Sequence, residues 1–244
     1  MFRYCAYSER GTKRTVNEDR VMADNRVLTR EQLSGQTDAR FMAVVCDGVG
    51  GTGDGARAAE MIVKSFVDFD VGTCTPRSVS RNLHEVNRSI VREKSRNPDN
   101  PGTASTVAGI VIKDRWCLSF NLGDTRILKY FDGRLSVIST DHTAATEWFC
   151  SGGCPDAITR YVGGEGFACV PSFRKGTAEQ GSIFLLCTDG VYKGVRDHQL
   201  RDILAGDDTI EEKGKAILKL SLQDGSGDDR SLVLVECSAC TEDR

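Results

Sequence analysis

Residues 41–51 constrain the fold more than any other stretch of the chain. They read Phe41-Met42-Ala43-Val44-Val45-Cys46-Asp47-Gly48-Val49-Gly50-Gly51. Six apolar or sulfur-bearing residues run without a break, which predicts a strand buried on both faces. Gly48, Gly50 and Gly51 then let the backbone turn sharply and be approached closely. Asp47 therefore stands where a core strand meets a glycine loop. A carboxylate there needs a partner or a cation, because an isolated buried charge is too costly.

The 244 residues are enough for one large domain, and no Pro/Ser-rich linker divides them. We expect a catalytic domain over residues 1–237 and a short tail over 238–244. A net charge of -3 gives no reason to expect nucleic acid or a membrane surface as partner. No stretch approaches the roughly 20 apolar residues of a membrane span. The N-terminal residues lack a signal-peptide core, so the expectation is a cytoplasmic protein; we also expect a monomer. Ten cysteines in that setting read as reduced thiols, with Cys46, Cys117 and Cys187 as small core residues. Cys150/Cys154 and Cys237/Cys240 leave open a four-sulfur zinc site.

Along the chain, Phe2 to Tyr7 predicts a first strand and Arg40 to Cys46 the central one. Asp54 to Phe66 and Pro76 to about Lys94 predict helices. Their apolar faces are Ala58, Ala59, Ile62 and Phe66, then Val79, Leu83, Val86 and Ile90. From Ser105 to Ile138 four short strands are separated by Asp114-Arg115 and Asp132-Gly133, which predicts antiparallel hairpins. Strands resume near Ser172 to Gly176 and Ser182 to Cys187. Two late helices follow, one capped by Asp197 and ended by Gly206. The other runs over Thr209 to Leu222, with Asp208 and Glu211 as a capping box. Ser231 to Val235 predicts a last apolar strand. His142 reads as ordering a loop, with no catalytic role assigned, and His84 and His198 read as structural or solvated.

Three aspartates share a context. Asp47 and Asp189 each follow an apolar strand and precede glycine, and Asp228 follows glycine and opens a strand. Glu18-Asp19 is a fourth acidic site. If the strands converge, these carboxylates share one site, and like charges so close require cations. Hard oxygen ligands suit magnesium or manganese. A pair of such ions can bind a phosphoryl oxygen and an activated water, which implies in-line hydrolysis of a phosphate ester.

Six motifs then appear in order: Arg14-x-x-Asn17-Glu18-Asp19, Asp47-Gly48-Val49-Gly50-Gly51, Gly123-Asp124-Thr125-Arg126, Asp141-His142-Thr143, Asp189-Gly190-Val191 and Gly227-Asp228-Asp229-x-Ser231. Together they resemble the metal-dependent protein phosphatase (PPM, or protein phosphatase 2C) family in its compact bacterial form, from about Tyr4 to Val235. The resemblance implies an α+β fold, a four-layer α-β-β-α sandwich of two packed antiparallel sheets flanked by helix pairs. It implies a protein serine/threonine phosphatase using two Mn2+ or Mg2+ ions, with a possible third. Asp47 would bridge both ions. Glu18 and the Gly48 carbonyl would serve one, Asp189 and Asp228 the other. Asp124 would hold the third ion, Asp19 would orient water, and Arg14 would hold the substrate phosphate. The nucleophile would be the water between the ions, with no phosphoenzyme. Partners would be phosphorylated proteins, including those of a bacterial Ser/Thr kinase.

The chain departs from that pattern in three places. Asp229 replaces the family's usual asparagine and adds charge beside Asp228. Val49 stands where many eukaryotic members place a histidine, so water is expected to protonate the leaving group. The segment between Asp141-His142-Thr143 and Ile158-Thr159-Arg160 is short for the family's flap. Two alternatives stand beside this reading. One is a phosphatase-like regulator with little catalysis. The other is a dinucleotide-binding oxidoreductase, since Gly48-Val49-Gly50-Gly51-Thr52-Gly53 matches G-x-G-x-x-G with Asp68 or Asp70 downstream. Asp47 beside a pyrophosphate and the hairpins that follow argue against the second.

Overall fold

The structure is a computed structural model that describes residues 1–28, 31–38, 40–49, 54–96, 103–147, 154–223 and 227–238. In chain order the strands are β1 (Phe2–Glu9), β2 (Arg20–Ala23), β3 (Arg26–Val27), β4 (Gln32–Thr37), β5 (Arg40–Cys46) and β6 (Gly48–Val49). Helices α1 (Gly55–Ser65) and α2 (Pro76–Arg96) follow. Next come β7 (Ala104–Ser105), β8 (Val107–Lys113), β9 (Trp116–Leu122), β10 (Arg126–Phe131), β11 (Arg134–Val137), β12 (Ser172–Thr177) and β13 (Ile183–Cys187). The chain closes with α3 (Asp189–Tyr192), α4 (Asp197–Ala205), α5 (Ile210–Ser221) and β14 (Arg230–Cys237).

Two six-stranded sheets form, in the orders β11-β10-β13-β14-β1-β4 and β12-β9-β8-β5-β2-β3. Their pairings are antiparallel throughout the described residues. That removes the dinucleotide reading, which needs parallel strands joined by crossovers; Gly50 to Gly53 of its motif lie outside the described residues. Strand β5 shows why its sequence is continuously apolar. Phe41, Ala43 and Val45 face the other sheet, while Met42, Val44 and Cys46 pack under the helices. Strand β14 splits in the same way, Val233 and Val235 toward the sheet interface and Leu232 and Leu234 toward α4 and α5. Alternation sends successive side chains to opposite faces, and here both faces are covered. Three apolar layers therefore separate four structural ones, as the resemblance implied.

Helices α1 and α2 bury the predicted residues. The hairpin turns fall where expected, with Asp114, Asp132 and Gly133 at positive φ. The late helix starts need correction. Asp197 is the first residue of α4 rather than its cap. The Arg196 N–H donates to the Gln199 side chain at 3.0 Å. Gly206 ends α4 in extended rather than left-handed conformation. For α5 the capping box is Thr209 with Glu212, not Asp208 with Glu211: the Thr209 N–H donates to Glu212 at 2.9 Å. Strands β2 to β4 and the short α3 had no counterpart in the sequence reading.

The eight described cysteines are free, and seven are buried. Cys46, Cys117 and Cys187 are core residues as expected. Of the proposed zinc pairs, Cys154 is exposed and Cys237 buried; Cys150 and Cys240 lie outside the described residues. Among the described residues no helix is long and apolar enough to cross a membrane.

Candidate metal centre

Backbone pairing brings four distant segments to one end of the two sheets. Arg20 pairs with Cys46 between β2 and β5, which sets Asp19 beside Asp47. Cys187 pairs with Leu232 between β13 and β14, and the Thr188 N–H continues the ladder to the Ser231 carbonyl at 3.1 Å. Asp189 therefore lies beside the start of β14. Glu9 pairs with Arg230, which folds the loop after β1 against Asp228 and Asp229. A hydrogen bond between the two sheets reinforces this: the Thr188 hydroxyl donates to Asp19 Oδ2 at 3.0 Å.

Each side chain is held by its neighbours. The Asp47 N–H donates to Thr106 Oγ1 at 3.1 Å, and its carbonyl accepts from the Ser105 hydroxyl at 2.9 Å. Glycine is required at 48, because a Cβ there would stand 2.4 Å from the backbone of Gly55. A Cβ on Gly55 would meet Glu18 Oε1 at 3.0 Å, so the Glu18 carboxylate sits against the paired glycines and the start of α1. Gly190 presses its backbone onto β14, where an added Cβ would be 2.1 Å from the Asp229 carbonyl. Asn17 Oδ1 accepts the Asp19 N–H at 2.9 Å.

The sequence reading treated Asp229 only as extra charge. The structure gives it a definite task. Its Oδ1 accepts the Gly11 N–H and its Oδ2 the Glu18 N–H, both at 2.8 Å. Asp229 thus fixes the acidic loop on β14. Its own N–H donates to Asp228 Oδ1 at 2.8 Å. His142 orders a loop, as read: Nδ1 accepts the Gly123 N–H at 3.1 Å and Nε2 meets the Ser172 hydroxyl at 2.8 Å.

The electrostatics are those of carboxylates crowded without enough counter-charge. Burial pushes Asp47 well above the ordinary carboxylate range, and the charges of Asp19, Asp189, Asp124 and Asp228 push it further. Burial also raises Asp19, with Asp229 and Asp189 adding to it. Asp124 is raised by burial and then by Asp189. Asp228 goes the other way: burial would raise it, but the Arg14 hydrogen bonds and the Asp229 N–H hold it low.

Among the described residues, two cations already sit on this cluster. Arg14 donates to both oxygens of Asp228, at 2.7 and 2.9 Å. Lys193 Nζ donates to Asp189 Oδ2 at 2.8 Å. Arg14 thus rests on a proposed ligand. With those pairings in place, no three His, Cys, Asp or Glu side chains among the described residues close into a coordination group. Asp19 Oδ1 and Asp189 Oδ1 are nevertheless buried with no hydrogen-bond partner. Orphaned carboxylate oxygens facing further carboxylates are what a hard divalent cation satisfies. The all-oxygen donor set fits magnesium or manganese.

Glu18, Asp19, Asp47, Asp189 and Asp228 are thereby gathered at one end of the molecule, with Asp124 beside Asp189. Sequence reasoning missed Thr188, Tyr192, Lys193 and the anchoring role of Asp229. Lys193 left a signal, since it lies four residues after Asp189 in a helical turn.

The family model described as protein phosphatase 2C matches residues 30–206. The serine/threonine protein phosphatase PstP of Mycobacterium tuberculosis is 24% identical over 249 residues, covering 97% of this chain and 45% of PstP. The chain thus spans about half the length of that relative. Protein phosphatase PhpP of Streptococcus pneumoniae is 24% identical over 240 residues, covering 92% of this chain and 93% of PhpP. Among solved structures, the catalytic domain of PstP in complex with two manganese ions has a TM-score of 0.80 at 24% identity. That match covers 98% of this chain and 99% of the other, and the likeness is one of fold.

Proposed function

The chain belongs to the protein phosphatase 2C family, and from that premise we propose that it hydrolyses phosphoserine and phosphothreonine in proteins, dependent on two Mn2+ or Mg2+ ions. One observation carries the reading. Carboxylates from four separate segments meet at one end of the sheets, and two of their buried oxygens lack partners. The manganese-bound PstP structure of the same fold supports the choice of ion.

Glu18, Asp47, the Gly48 carbonyl, Asp189 and Asp228 would hold the ions. When bound, the ions neutralise the cluster, polarise the phosphoryl group and activate the attacking water. The rest falls to the chain. Asp19, fixed by Thr188 and Asn17, has its buried Oδ1 free of hydrogen bonds and would orient water. Asp229 keeps Glu18 in register by holding its backbone. Arg14, paired with both oxygens of Asp228, is the guanidinium whose planar fork would take the substrate phosphate once that carboxylate is held by an ion. Val49 supplies no acid, so solvent protonates the leaving oxygen.

Residues 1–237 form the catalytic domain in this reading, with 238–244 as a tail; β14 ends at Cys237. The chain acts as a cytoplasmic monomer on phosphoproteins made by a bacterial Ser/Thr kinase, a step that rests on family analogy. The test is release of phosphate from phosphoserine and phosphothreonine peptides with manganese. Activity should vanish in chelator and in Asp47→Asn protein. Equal turnover in Asp47→Asn protein would defeat the assignment and favour another site.

A further inference from the structure

Beside the carboxylate cluster is a cavity of ≈ 300 Å³ whose lining includes Asp124, Asp156, Tyr192 and Lys193. Four of its polar side chains, Arg126, Asp141, Tyr192 and Asp124, are already engaged with one another. Arg126 binds Asp141 through Nη2 at 2.7 Å and stacks 3.9 Å above the Tyr192 ring. The Tyr192 hydroxyl donates to Asp124 Oδ2 at 3.3 Å. Lys193 is tied at both ends of its residue. Its N–H donates to the Asp189 carbonyl at 2.9 Å and its ammonium to Asp189 Oδ2 at 2.8 Å.

We propose that Lys193 is the resident cation of the Asp124–Asp189 pocket, so that this chain loads two divalent ions and has no site for a third. The inference rests on the two-ion reading above and revises the expectation that Asp124 is a metal ligand. The geometry separates the two internal cations. Arg14 covers both oxygens of Asp228, so an ion can reach that carboxylate only after Arg14 moves. Lys193 covers one oxygen of Asp189 and leaves Oδ1 buried and open. Asp189 can therefore ligate an ion through Oδ1 while Oδ2 keeps its ammonium. Lys193 need not leave, and its short tether within one helical turn keeps it in place. A third divalent ion would have to displace that ammonium, or else sit beside its positive charge. Asp124 offers little in return, since Tyr192 already donates to one of its oxygens.

Manganese titration of the chelator-stripped full chain, followed by the paramagnetic resonance of unbound Mn2+, counts the sites without reference to turnover. The wild-type chain should take up two equivalents. Lys193→Asp, which swaps the ammonium for a carboxylate, should take up three. Lys193→Asp combined with Asp124→Asn should return to two. Because Lys193 is half exposed, Lys193→Ala serves as a gentler variant and should gain a third, weaker equivalent. Three equivalents in the wild type, falling to two in Asp124→Asn alone, would overturn the proposal. Both lysine variants remaining at two would also overturn it. No uptake by the wild type would bring down the two-ion reading itself, and this inference with it.

Discussion

Asp229 holds two backbone N–H groups with its two oxygens, and an asparagine could accept only one of them well. Asp229→Asn should therefore leave either Gly11 or Glu18 unpaired and cost about 1–3 kcal/mol of stability. Chemical denaturation would show it, and an unchanged midpoint would contradict the anchoring role. Asp47 behaves in the opposite way. Its folded-state pKa is raised by burial and by Asp19 and Asp189. A group so raised contributes stability below its unfolded pKa and loses it as pH rises through the folded value. At pH 7.5 without metal, Asp47 thus weakens the fold. Asp47→Asn should raise Tm in chelator by about 2–8 °C, the scale of a 1–2 kcal/mol gain in a domain of this length, while abolishing activity. Thermal scans of both proteins in chelator decide this, and a lower Tm in the variant would refute it. Arg14→Ala should lower kcat/KM roughly 30–100-fold, the size of a lost charge-assisted hydrogen bond. It should not weaken manganese binding, because the competing guanidinium on Asp228 is gone.

At the scale of elements, the hinge between β9 and β10 depends on a neutral imidazole. Burial first, then the Arg160 charge, lower His142 to about 4. Between about 6.5 and 4 the unfolded chain binds this proton and the folded chain does not. The contribution of His142 is thus complete above about 6.5 and is lost as pH falls, at most about 3 kcal/mol in all. His142→Gln should flatten the stability–pH curve in that window relative to wild type, and parallel curves would contradict it. The elements differed in how far they could be read in advance. Strands β5, β13 and β14 were legible because each is covered on both faces, and α1 and α2 because their buried residues recur at helical spacing. Strands β2 to β4 were not. They are short, and Gln32–Thr37 alternates half-buried and exposed residues on a sheet edge. The α5 cap slipped by one residue because Asp208 and Thr209, with Glu211 and Glu212, offer two adjacent boxes, and only packing chooses between them. In the site, Asp47, Asp189 and Asp228 declared themselves by glycine and apolar context. The Arg14–Asp228 pairing and the two hydrogen bonds that Asp229 accepts from Gly11 and Glu18 join residues more than 200 apart. No local pattern records such contacts.

For the molecule as a whole, the sandwich sets the ends of two sheets face to face and lets acidic loops from each meet. The carboxylates crowded there are relieved in part by Arg14 and Lys193. Divalent ions that bind only the folded state should raise Tm in proportion to the logarithm of their concentration. The most direct test is manganese anomalous scattering from a crystal of the loaded protein. Two peaks should lie among Glu18, Asp47, Asp189 and Asp228, with Lys193 still on Asp189 and Arg14 released from Asp228. A map without peaks among those four carboxylates would contradict the account.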